Sequence, residues 1–342
     1  MPAKIGGVRV GSKPNFREVP VREAVGMVLP HDMTQILPGQ FKGRLFKKGH
    51  VITEADIEPL LSIGKEHIYV LEMPPDHLHE DDAAERIARA VAGRGLTLSE
   101  PYEGKVTLKA EYLGLAKVQE AAVHAINELE AIALATITTN QVVSAGQAVA
   151  AARIIPLIIE EARIVELEAR AKTFPQPIVQ VVPIPPRKAG LVTTGKEVYS
   201  GRIADKFGPV IRAKLEALGA SVLEQRIVPD DKEKIEQEIR RFLDLGVDLV
   251  LVTGGMSVDP DDRTPGAIAA VATEVVRYGT PMLPGSMMMV AYAGDVPILG
   301  LPGAVMHEPF TSFDVVLPRL LIGERITEQD ITRLGYGGLR SG

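Results

Sequence analysis

A largely apolar run that ends in two glycines constrains the fold of this chain more than any other feature. Residues 247–252 carry mainly Val and Leu side chains, and Gly254 and Gly255 follow. A strand that is apolar on both faces is typical of a parallel sheet covered by helices. Because a glycine backbone can approach a ligand closely and point its N–H groups at it, the run also indicates an anion-binding turn. The sequence therefore predicts an α/β sheet with a ligand site at the end of this strand.

Strand and helix patterns alternate along the whole C-terminal half. Strands are predicted at 190–194, 220–228, 247–252 and 296–301, and helices at 203–218, 232–245, 267–276 and 304–321. Alternation at these lengths is typical of a doubly wound, mostly parallel sheet. We expect the carboxyl ends of the strands to meet at one crevice, where such sheets bind ligands.

The N-terminal half is less regular and is predicted to be α+β. Two proline clusters, at 174–177 and 183–186, flank a short edge strand predicted from Ile178 to Val182 and indicate a stiff connector. The predicted division is a small α+β module at 1–80, a second α+β module at 81–174, the connector at 175–188 and the α/β domain at 189–325.

Composition narrows the class of function. The chain has 342 residues, a net charge of −6 and no cysteine, which excludes disulfides, thiolate-bound zinc, iron–sulfur clusters and cysteine nucleophiles. A negative charge without a long Lys/Arg run argues against a nucleic-acid partner. The longest apolar stretch falls short of the roughly 20 residues that span a bilayer. We therefore expect a cytoplasmic protein with no membrane partner.

Glycines follow three of the predicted strands. They occur in Thr194-Gly195, in Thr253-Gly254-Gly255 and in Gly300-Leu301-Pro302-Gly303. A single turn of this kind is an ordinary strand–helix connection, and none has the spacing of a dinucleotide-binding loop or a P-loop. Three of them at the same edge of one sheet favour a shared site.

Acidic residues follow the same strand ends. Asp230 and Asp231 precede one helix, and Asp259, Asp261 and Asp262 precede another. One Asp is enough to cap one helix, so the additional carboxylates are candidates for a functional role. Since carboxylates repel phosphate, a divalent cation would have to bridge the two. The pattern predicts a phosphorylated ligand with Mg²⁺. Asp230 and Asp262 are the candidate ligands of the metal, and a helix cap is the alternative role of the Asp230-Asp231 pair.

Residues 190–322 resemble the molybdopterin-binding domain of molybdenum cofactor biosynthesis proteins of the MoeA, MogA and MoaB type. The matching positions, in order, are Thr194-Gly195 with Glu197, Asp205, Pro229-Asp230-Asp231, Thr253 to Val258 with Asp262 and Thr264, Pro284-Gly285, and Gly300 to Gly303. The resemblance implies a three-layer α/β/α domain that binds molybdopterin, or its adenylylated form, with Mg²⁺. It also implies a homo-oligomer, either a dimer or a trimer.

The resemblance further implies roles for individual residues. Catalytic roles are implied for Asp230, Asp262 and Glu197, with the metal on Asp230 and Asp262. Contacts with the pterin or phosphate are implied for Thr194, Gly195, Gly254, Gly255, Ser257, Thr264, Gly300, Pro302 and Gly303.

The sequence departs from the family pattern in several places. Leu283 stands where the family has a Lys before Pro-Gly, and Ala304 stands where it has an Asn. Each loss could remove a charge-assisted hydrogen bond of roughly 1.5–3 kcal/mol. The Ser-Ala-Met-Asp-Gly-Tyr-Ala segment that opens MoeA-type proteins has no counterpart in residues 1–170.

The leading functional hypothesis is a divergent MoeA-like molybdopterin molybdenumtransferase that inserts molybdate into adenylylated molybdopterin. One alternative is a non-catalytic molybdopterin carrier or sensor, which the lost Lys and Asn favour. Another is a nucleotide pyrophosphatase of the competence-damage type, whose loop the run from Pro260 to Thr264 resembles.

Overall fold

The computed structural model describes residues 16–37, 41–175, 177–257, 259 and 262–340. The chain forms two compact units. The first contains the residues up to 111 together with 117–139 and 145–180, and the second contains 112–116, 140–144 and the residues from 181 onward. Within the described ranges, every helix is too short or too polar to cross a bilayer.

The strands are β1 (Phe16–Pro20), β2 (Met33–Leu37), β3 (Phe41–Phe46), β4 (His67–Leu71), β5 (His77–His79), β6 (Leu96–Leu98), β7 (Lys105–Ala110), β8 (Gly114–Val118), β9 (Ile132–Thr136), β10 (Gln141–Val143), β11 (Ala148–Ile154), β12 (Ile158–Glu160), β13 (Val179–Pro183), β14 (Lys188–Thr194), β15 (Ser221–Val228), β16 (Leu249–Thr253), β17 (Glu274–Tyr278), β18 (Met289–Ala293) and β19 (Val296–Leu301). The helices are α1 (Ile57–Ser62), α2 (Glu80–Val91), α3 (Glu120–Asn127), α4 (Glu161–Ala171), α5 (Lys196–Tyr199), α6 (Phe207–Glu216), α7 (Lys232–Asp244), α8 (Thr264–Val271), α9 (Ser312–Leu321) and α10 (Glu328–Arg333).

The first unit is α+β, as the sequence predicts. At its start β1 pairs antiparallel with β4, β2 pairs with β3, and apolar side chains such as Val19, Leu29, Ile52 and Leu60 form a small core. Further along, β6, β7, β11 and β9 form a four-stranded antiparallel sheet, with α2 against β7 and β11 and α3 against β9.

The second unit is built on a six-stranded sheet with the strand order β15-β14-β16-β19-β18-β17. The first four strands run parallel, while β18 and β17 are antiparallel to their neighbours. Helices α6, α9 and α10 cover one face and α7 and α8 the other. The predicted three-layer, mostly parallel α/β domain is therefore confirmed.

Strand β16 shows why this sheet needs two helical layers. All of its residues are buried; Leu249 and Leu251 pack in one core, and Val250 and Val252 pack in the other. Fully burying one such side chain contributes roughly 1.5–3 kcal/mol. The run of residues 247–252 was predicted as one strand, but the strand begins at Leu249. Asp248 stays outside it because its carboxylate accepts hydrogen bonds of 2.7 Å from Arg187 Nη1 and from the backbone N–H of Lys188.

The helix predicted from Ala267 to Val276 is wrong in its second half. Helix α8 ends at Val271, and Glu274–Tyr278 form the edge strand β17. The backbone N–H and the hydroxyl of Thr273 both donate to the carbonyl oxygen of Tyr292, at 2.8 and 3.1 Å. These bonds turn the chain into the sheet beside β18.

The predicted helix at 304–321 is interrupted. A short 3-10 helix covers Gly303–Met306, and α9 begins only at Ser312. The carboxylate of Asp314 accepts a hydrogen bond of 2.7 Å from the backbone N–H of Thr311 and one of 3.0 Å from its hydroxyl. This capping interaction fixes the later start of α9.

Candidate functional site

The carboxyl ends of the four parallel strands lie level with one another. Thr194 of β14 pairs with Val228 of β15, and Thr253 of β16 pairs with both Thr193 and Leu301. The turns after these strands therefore start side by side, as expected for a doubly wound sheet.

A cleft of about 350 Å³ lies at this edge of the sheet. Its lining residues come from the turn after β16, the start of α6 and the segments next to β18 and β19. They are Phe207, Gly254, Gly255, Met256, Ser257, Asp262, Met287, Leu301 and Gly303. Five of the predicted site residues therefore line one cleft, namely Gly254, Gly255, Ser257, Asp262 and Gly303. Their contact with a ligand stays a prediction.

The glycine turn after β16 is tightly held. Gly254 and Gly255 have φ angles of +85° and +55°, which glycine adopts most readily. A side chain on Gly254 would overlap the carbonyl oxygen of Thr194 and come within 2.7 Å of its hydroxyl. On the other side, Thr264 Oγ1 donates a hydrogen bond of 2.8 Å to the carbonyl oxygen of Gly254. The turn is therefore fixed between the end of β14 and the start of α8.

Thr194 and Thr264 lie behind this turn rather than in the lining of the cleft. Thr194 is 4% exposed and Thr264 is fully buried. Within the described ranges, Thr194 Oγ1 has no hydrogen-bond partner. A buried hydroxyl without a partner costs roughly 1–3 kcal/mol, and the contact of Thr194 with a ligand stays a prediction.

The two aspartates after β15 have separate roles. Asp231 is the N-cap of α7, because its carboxylate accepts a hydrogen bond of 3.1 Å from the N–H of Lys234. Asp230 accepts a hydrogen bond of 3.0 Å from the N–H of Lys196 and so ties two neighbouring strand ends together. The carboxylate of Asp230 therefore does not cap α7, and it satisfies the first N–H of α5 instead.

Asp262 does not cap a helix either. Its Oδ2 accepts a hydrogen bond of 3.2 Å from the N–H of Asp259, within a turn closed by the bond from Asp262 N to Asp259 O at 2.9 Å. The N-cap residue of α8 is Arg263, which makes no side-chain capping bond. Asp261, the third acid of this loop, lies outside the described residues.

The other predicted site residues do not line the cleft. Gly195 precedes α5, and its N–H donates to the carbonyl oxygen of Val228 at 3.2 Å. Glu197 is exposed on α5, and Pro302 is buried directly after β19. Gly300 lies beneath the cleft, where a side chain would come within 2.6 Å of the Met256 sulfur.

Tyr278 belongs to the site although no motif in the sequence pointed to it. Its hydroxyl donates a hydrogen bond of 2.7 Å to the carbonyl oxygen of Met256 and lies 3.4 Å from that of Ser257. Burial raises the pKa of this phenol, and the nearby Asp262 carboxylate raises it further. Strand β17, which carries Tyr278, could have been predicted from residues 274–278, because their valines and tyrosine are typical of a strand.

The cleft combines an apolar wall with a polar turn. Phe207, Met287 and Leu301 can pack against a flat ring, whereas the Gly254–Gly255 backbone suits a phosphate. Among the described lining residues, Asp262 is the one charged group. Nowhere in the described part of the chain do three or more His, Cys, Asp or Glu side chains form a metal-binding group. A phosphate bound here would therefore need a cation that it shares with Asp262.

Two parts of the chain match families of known proteins. Residues 190–321 match the family described as "Probable molybdopterin binding domain", and residues 18–72 match a domain of unknown function, DUF8806.

Two curated relatives cover parts of the chain. A CinA-like protein from Mycobacterium avium (strain 104) is 39% identical over 82 residues, which are 24% of this chain and 19% of that protein. A molybdopterin molybdenumtransferase from Staphylococcus aureus (strain Mu50 / ATCC 700699) is 33% identical over 135 residues, which are 40% of this chain and 31% of that protein. The chain thus matches less than a third of the length of either relative.

Among solved structures, the molybdopterin biosynthesis enzyme MoaB from Thermus thermophilus is 27% identical, with a TM-score of 0.35, over 40% of this chain and 98% of that protein. The order of the motifs in the sequence and the match to the family over residues 190–321 identify this part of the chain as a molybdopterin-binding domain of the molybdenum cofactor biosynthesis type.

Proposed function

We propose that this protein binds molybdopterin in the cleft of its second unit and acts as a divergent molybdopterin molybdenumtransferase on the adenylylated form. The single observation that carries the proposal is the cleft itself, where Gly254, Gly255, Ser257, Asp262 and Gly303 converge. These residues come from separate segments, so only the folded sheet edge brings them together.

The two sides of the cleft fit the two parts of such a ligand. A pterin ring would pack against Phe207, Met287 and Leu301, while its phosphate would lie over the Gly254–Gly255 turn. The volume of about 350 Å³ is at the lower end of the range for small-molecule sites, roughly 300–1,000 Å³. A pterin phosphate would fill the cleft, and an adenylyl group would extend along the open sheet edge.

The residues present fit Mg²⁺ shared with the ligand rather than enclosed by the protein. Mg²⁺ in phosphate sites is usually held by one or two carboxylates together with phosphate oxygens and water. Asp262 supplies a carboxylate in the cleft, and the unpartnered hydroxyl of Thr194 lies behind it. When bound, Mg²⁺ would neutralise charge on the phosphoanhydride.

The chain's own residues would orient the ligand. The Gly254–Gly255 backbone would hold the phosphate, Tyr278 would keep that turn in place through Met256, and Asp230 would hold the turn after β14 through Lys196. With these residues the ligand would be oriented without the Lys that the family has at the position of Leu283.

A second candidate is a nucleotide pyrophosphatase of the competence-damage type. The match to a CinA-like protein favours it, since its 39% identity exceeds the 33% found for the molybdenumtransferase, although over a shorter stretch. Both candidates use the same cleft and the same cation, so they differ in the ligand that binds and the bond that breaks.

Calorimetric titration of the full chain with molybdopterin and with adenylylated molybdopterin, each with and without Mg²⁺, tests the proposal. We expect Mg²⁺-dependent binding of the adenylylated form and molybdate-dependent release of AMP. Asp262→Asn should lose both, whereas Asp259→Asn, which removes the same charge from the same turn outside the cleft lining, should keep them. If neither pterin binds and free dinucleotides are cleaved instead, the pyrophosphatase is the correct function.

A further inference from the structure

The first turn of α6 forms one wall of the cleft. Phe207, the first residue of this helix, lines the cleft and also packs against one of the two cores of the sheet. The residue at the N-cap position, Lys206, makes no side-chain capping bond, so the first N–H groups of the helix need another partner. The carboxylate of Asp205 accepts hydrogen bonds from the N–H of Phe207 at 2.9 Å and from that of Gly208 at 3.0 Å. The position of Phe207 therefore depends on the Asp205 carboxylate.

The side chain of Gln225, on the edge strand β15, holds that carboxylate. Its Nε2 donates hydrogen bonds to Asp205 Oδ2 at 2.6 Å and to Thr193 Oγ1 at 3.0 Å. Because an ionised carboxylate only accepts hydrogen bonds, Asp205 fixes which end of the amide faces it. The Oε1 of Gln225 accepts from the guanidinium of Arg212, 3.4 Å away on α6. Gln225 thus uses both of its amide hydrogens to join the start of α6 to β14.

Gly208 shows how closely α6 approaches this amide. The residue lies in the first turn of α6 and is not one of the glycines with a positive φ, so its backbone conformation does not require glycine. A Cβ at this position would overlap the Asp205 carboxylate and lie 2.5 Å from Gln225 Oε1. A side chain on residue 208 would therefore push the helix away from Gln225.

The network ends on the strand that also borders the glycine turn. Thr193 is fully buried on β14 and pairs with Thr253, the residue of β16 that precedes Gly254. The Phe207 wall and the Gly254–Gly255 turn are therefore attached to the same pair of neighbouring strand ends. A ligand that combines a flat ring with a phosphate needs both surfaces at a fixed separation, which hydrogen bonds behind the contacting residues provide.

We propose that Gln225 is a positioning residue for the ligand ring, which through Asp205 sets the distance between Phe207 and the glycine turn. Gln225 belongs to none of the motifs in the sequence and does not line the cleft. The role requires the amide, because an apolar side chain of similar size cannot bond to Asp205 or Thr193. The proposal rests on the proposed function only in taking a pterin as the ring that packs against Phe207.

The first test needs no ligand. The chain contains no tryptophan, so Phe207→Trp places a single indole in the wall of the cleft. Adding Gln225→Leu to this variant should lower the fluorescence anisotropy of the indole and increase its quenching by acrylamide, because the start of α6 is released. Gln237→Leu is the matched control, since it makes the same change on the exposed side of α7 and should leave both quantities unchanged.

Gly208→Ala tests the same contact from the helix. Its methyl group should displace Asp205 and Gln225, so the mobility of the indole should rise as it does with Gln225→Leu. Gly266→Ala is the control, because an added Cβ in α8 lies 4.0 Å from Lys232 Cε, an ordinary contact. Thermal unfolding verifies that each variant is folded at the temperature of the fluorescence measurement.

The second test is a double-mutant cycle on the affinity for molybdopterin. Gln225→Leu should raise the Kd about two- to tenfold, the range expected when one hydrogen bond that orders the site is lost. In a Phe207→Ala background the same change should have no further effect, because the wall that Gln225 positions is absent. A general loss of stability would instead weaken binding equally in both backgrounds.

Unchanged anisotropy and quenching with Gln225→Leu overturn the proposal, and so does an equal loss of affinity in the two backgrounds. An indole released by Gln225→Leu together with unchanged molybdopterin affinity overturns it as well, because the ring then does not depend on Phe207. If the wild type fails to bind molybdopterin, the proposed function falls, while the fluorescence measurement still decides whether Gln225 positions Phe207.

Discussion

The hydroxyl of Tyr278 donates a hydrogen bond of 2.7 Å to the carbonyl oxygen of Met256. This bond joins an antiparallel edge strand, β17, to the turn that forms one side of the cleft. The turn follows the parallel strand β16, but its position also depends on β17, the strand at one edge of the sheet.

Replacing Tyr278 by Phe should weaken ligand binding while the protein stays folded. Removing one neutral hydrogen bond costs roughly 0.5–1.5 kcal/mol, which corresponds to a two- to tenfold higher Kd for the pterin. Tyr292→Phe is the control, because the Tyr292 hydroxyl accepts a bond of 2.7 Å from the N–H of Ile326, away from the cleft. Calorimetry should show unchanged affinity for Tyr292→Phe, and an equal loss in both variants would contradict the role of Tyr278.

Gly254→Ala should destabilise the protein more than Gly246→Ala. Both glycines have positive φ angles, +85° and +70°, and the left-handed conformation costs a non-glycine residue roughly 1–2 kcal/mol. Only at Gly254 would the new methyl group also collide with Thr194, which adds roughly 1–3 kcal/mol of overpacking. Urea unfolding of the two variants measures the difference, and equal midpoints would show that the turn can shift.

Asp231→Ala and Asp230→Asn should separate stability from activity. Loss of the Asp231 cap should cost about 1 kcal/mol of unfolding free energy and leave ligand affinity unchanged. Asp230→Asn keeps an oxygen that can accept from Lys196 N, so stability should be retained. Turnover should fall, because the substitution removes the negative charge for which the family resemblance implies a catalytic role. Full turnover in Asp230→Asn would remove the residue from the catalytic set.

Glu80 should make the stability of the first unit depend on pH. It is 6% exposed at the start of α2, and burial raises its pKa, an effect to which the Asp81 carboxylate adds and which the His79, Arg153 and Lys48 side chains oppose. A carboxyl group with a raised pKa in the folded state binds its proton more tightly there. Its contribution to stability is therefore full below the unfolded pKa of about 4.3 and is lost as the pH rises through the higher folded pKa.

Glu80→Gln should consequently unfold at a higher temperature than the wild type at pH 7 and show no advantage at pH 4. Glu85→Gln is the control, because Glu85 is on the same helix but forms an exposed pair with Arg89. A gain for Glu85→Gln of the same size at pH 7 would show that the helix responds to net charge rather than to the burial of Glu80.

The sequence predicts the parallel part of the fold because the signals for it are local. A glycine or an aspartate lies within two residues of the end of β14, β15 and β16, and the apolar residues of β16 are consecutive. Strand β17 escaped prediction because it is fixed by pairing with β18, about fifteen residues further along the chain.

The finer details of the site depend on contacts between distant residues. Which of the adjacent Asp230 and Asp231 caps α7 is decided by the geometry at the strand end. The burial of the Thr194 hydroxyl without a partner depends on Gly254, which lies in the turn after another strand and packs against Thr194. Neither the capping role of Asp231 nor the unpartnered hydroxyl of Thr194 can be predicted from composition or from the spacing of residues.

The division of the chain between its two units has a consequence for synthesis on the ribosome. Residues 112–116 and 140–144 belong to the second unit, although the rest of that unit begins only at residue 181. At a translation rate of roughly 5–20 residues per second, about 2–14 s pass between the synthesis of these segments and that of residue 181. Strands β8 and β10 can pair with each other during that time, but β13, the third strand of their sheet, is made only at the end of it. The nascent first unit therefore folds while its chain carries two stretches that it does not keep.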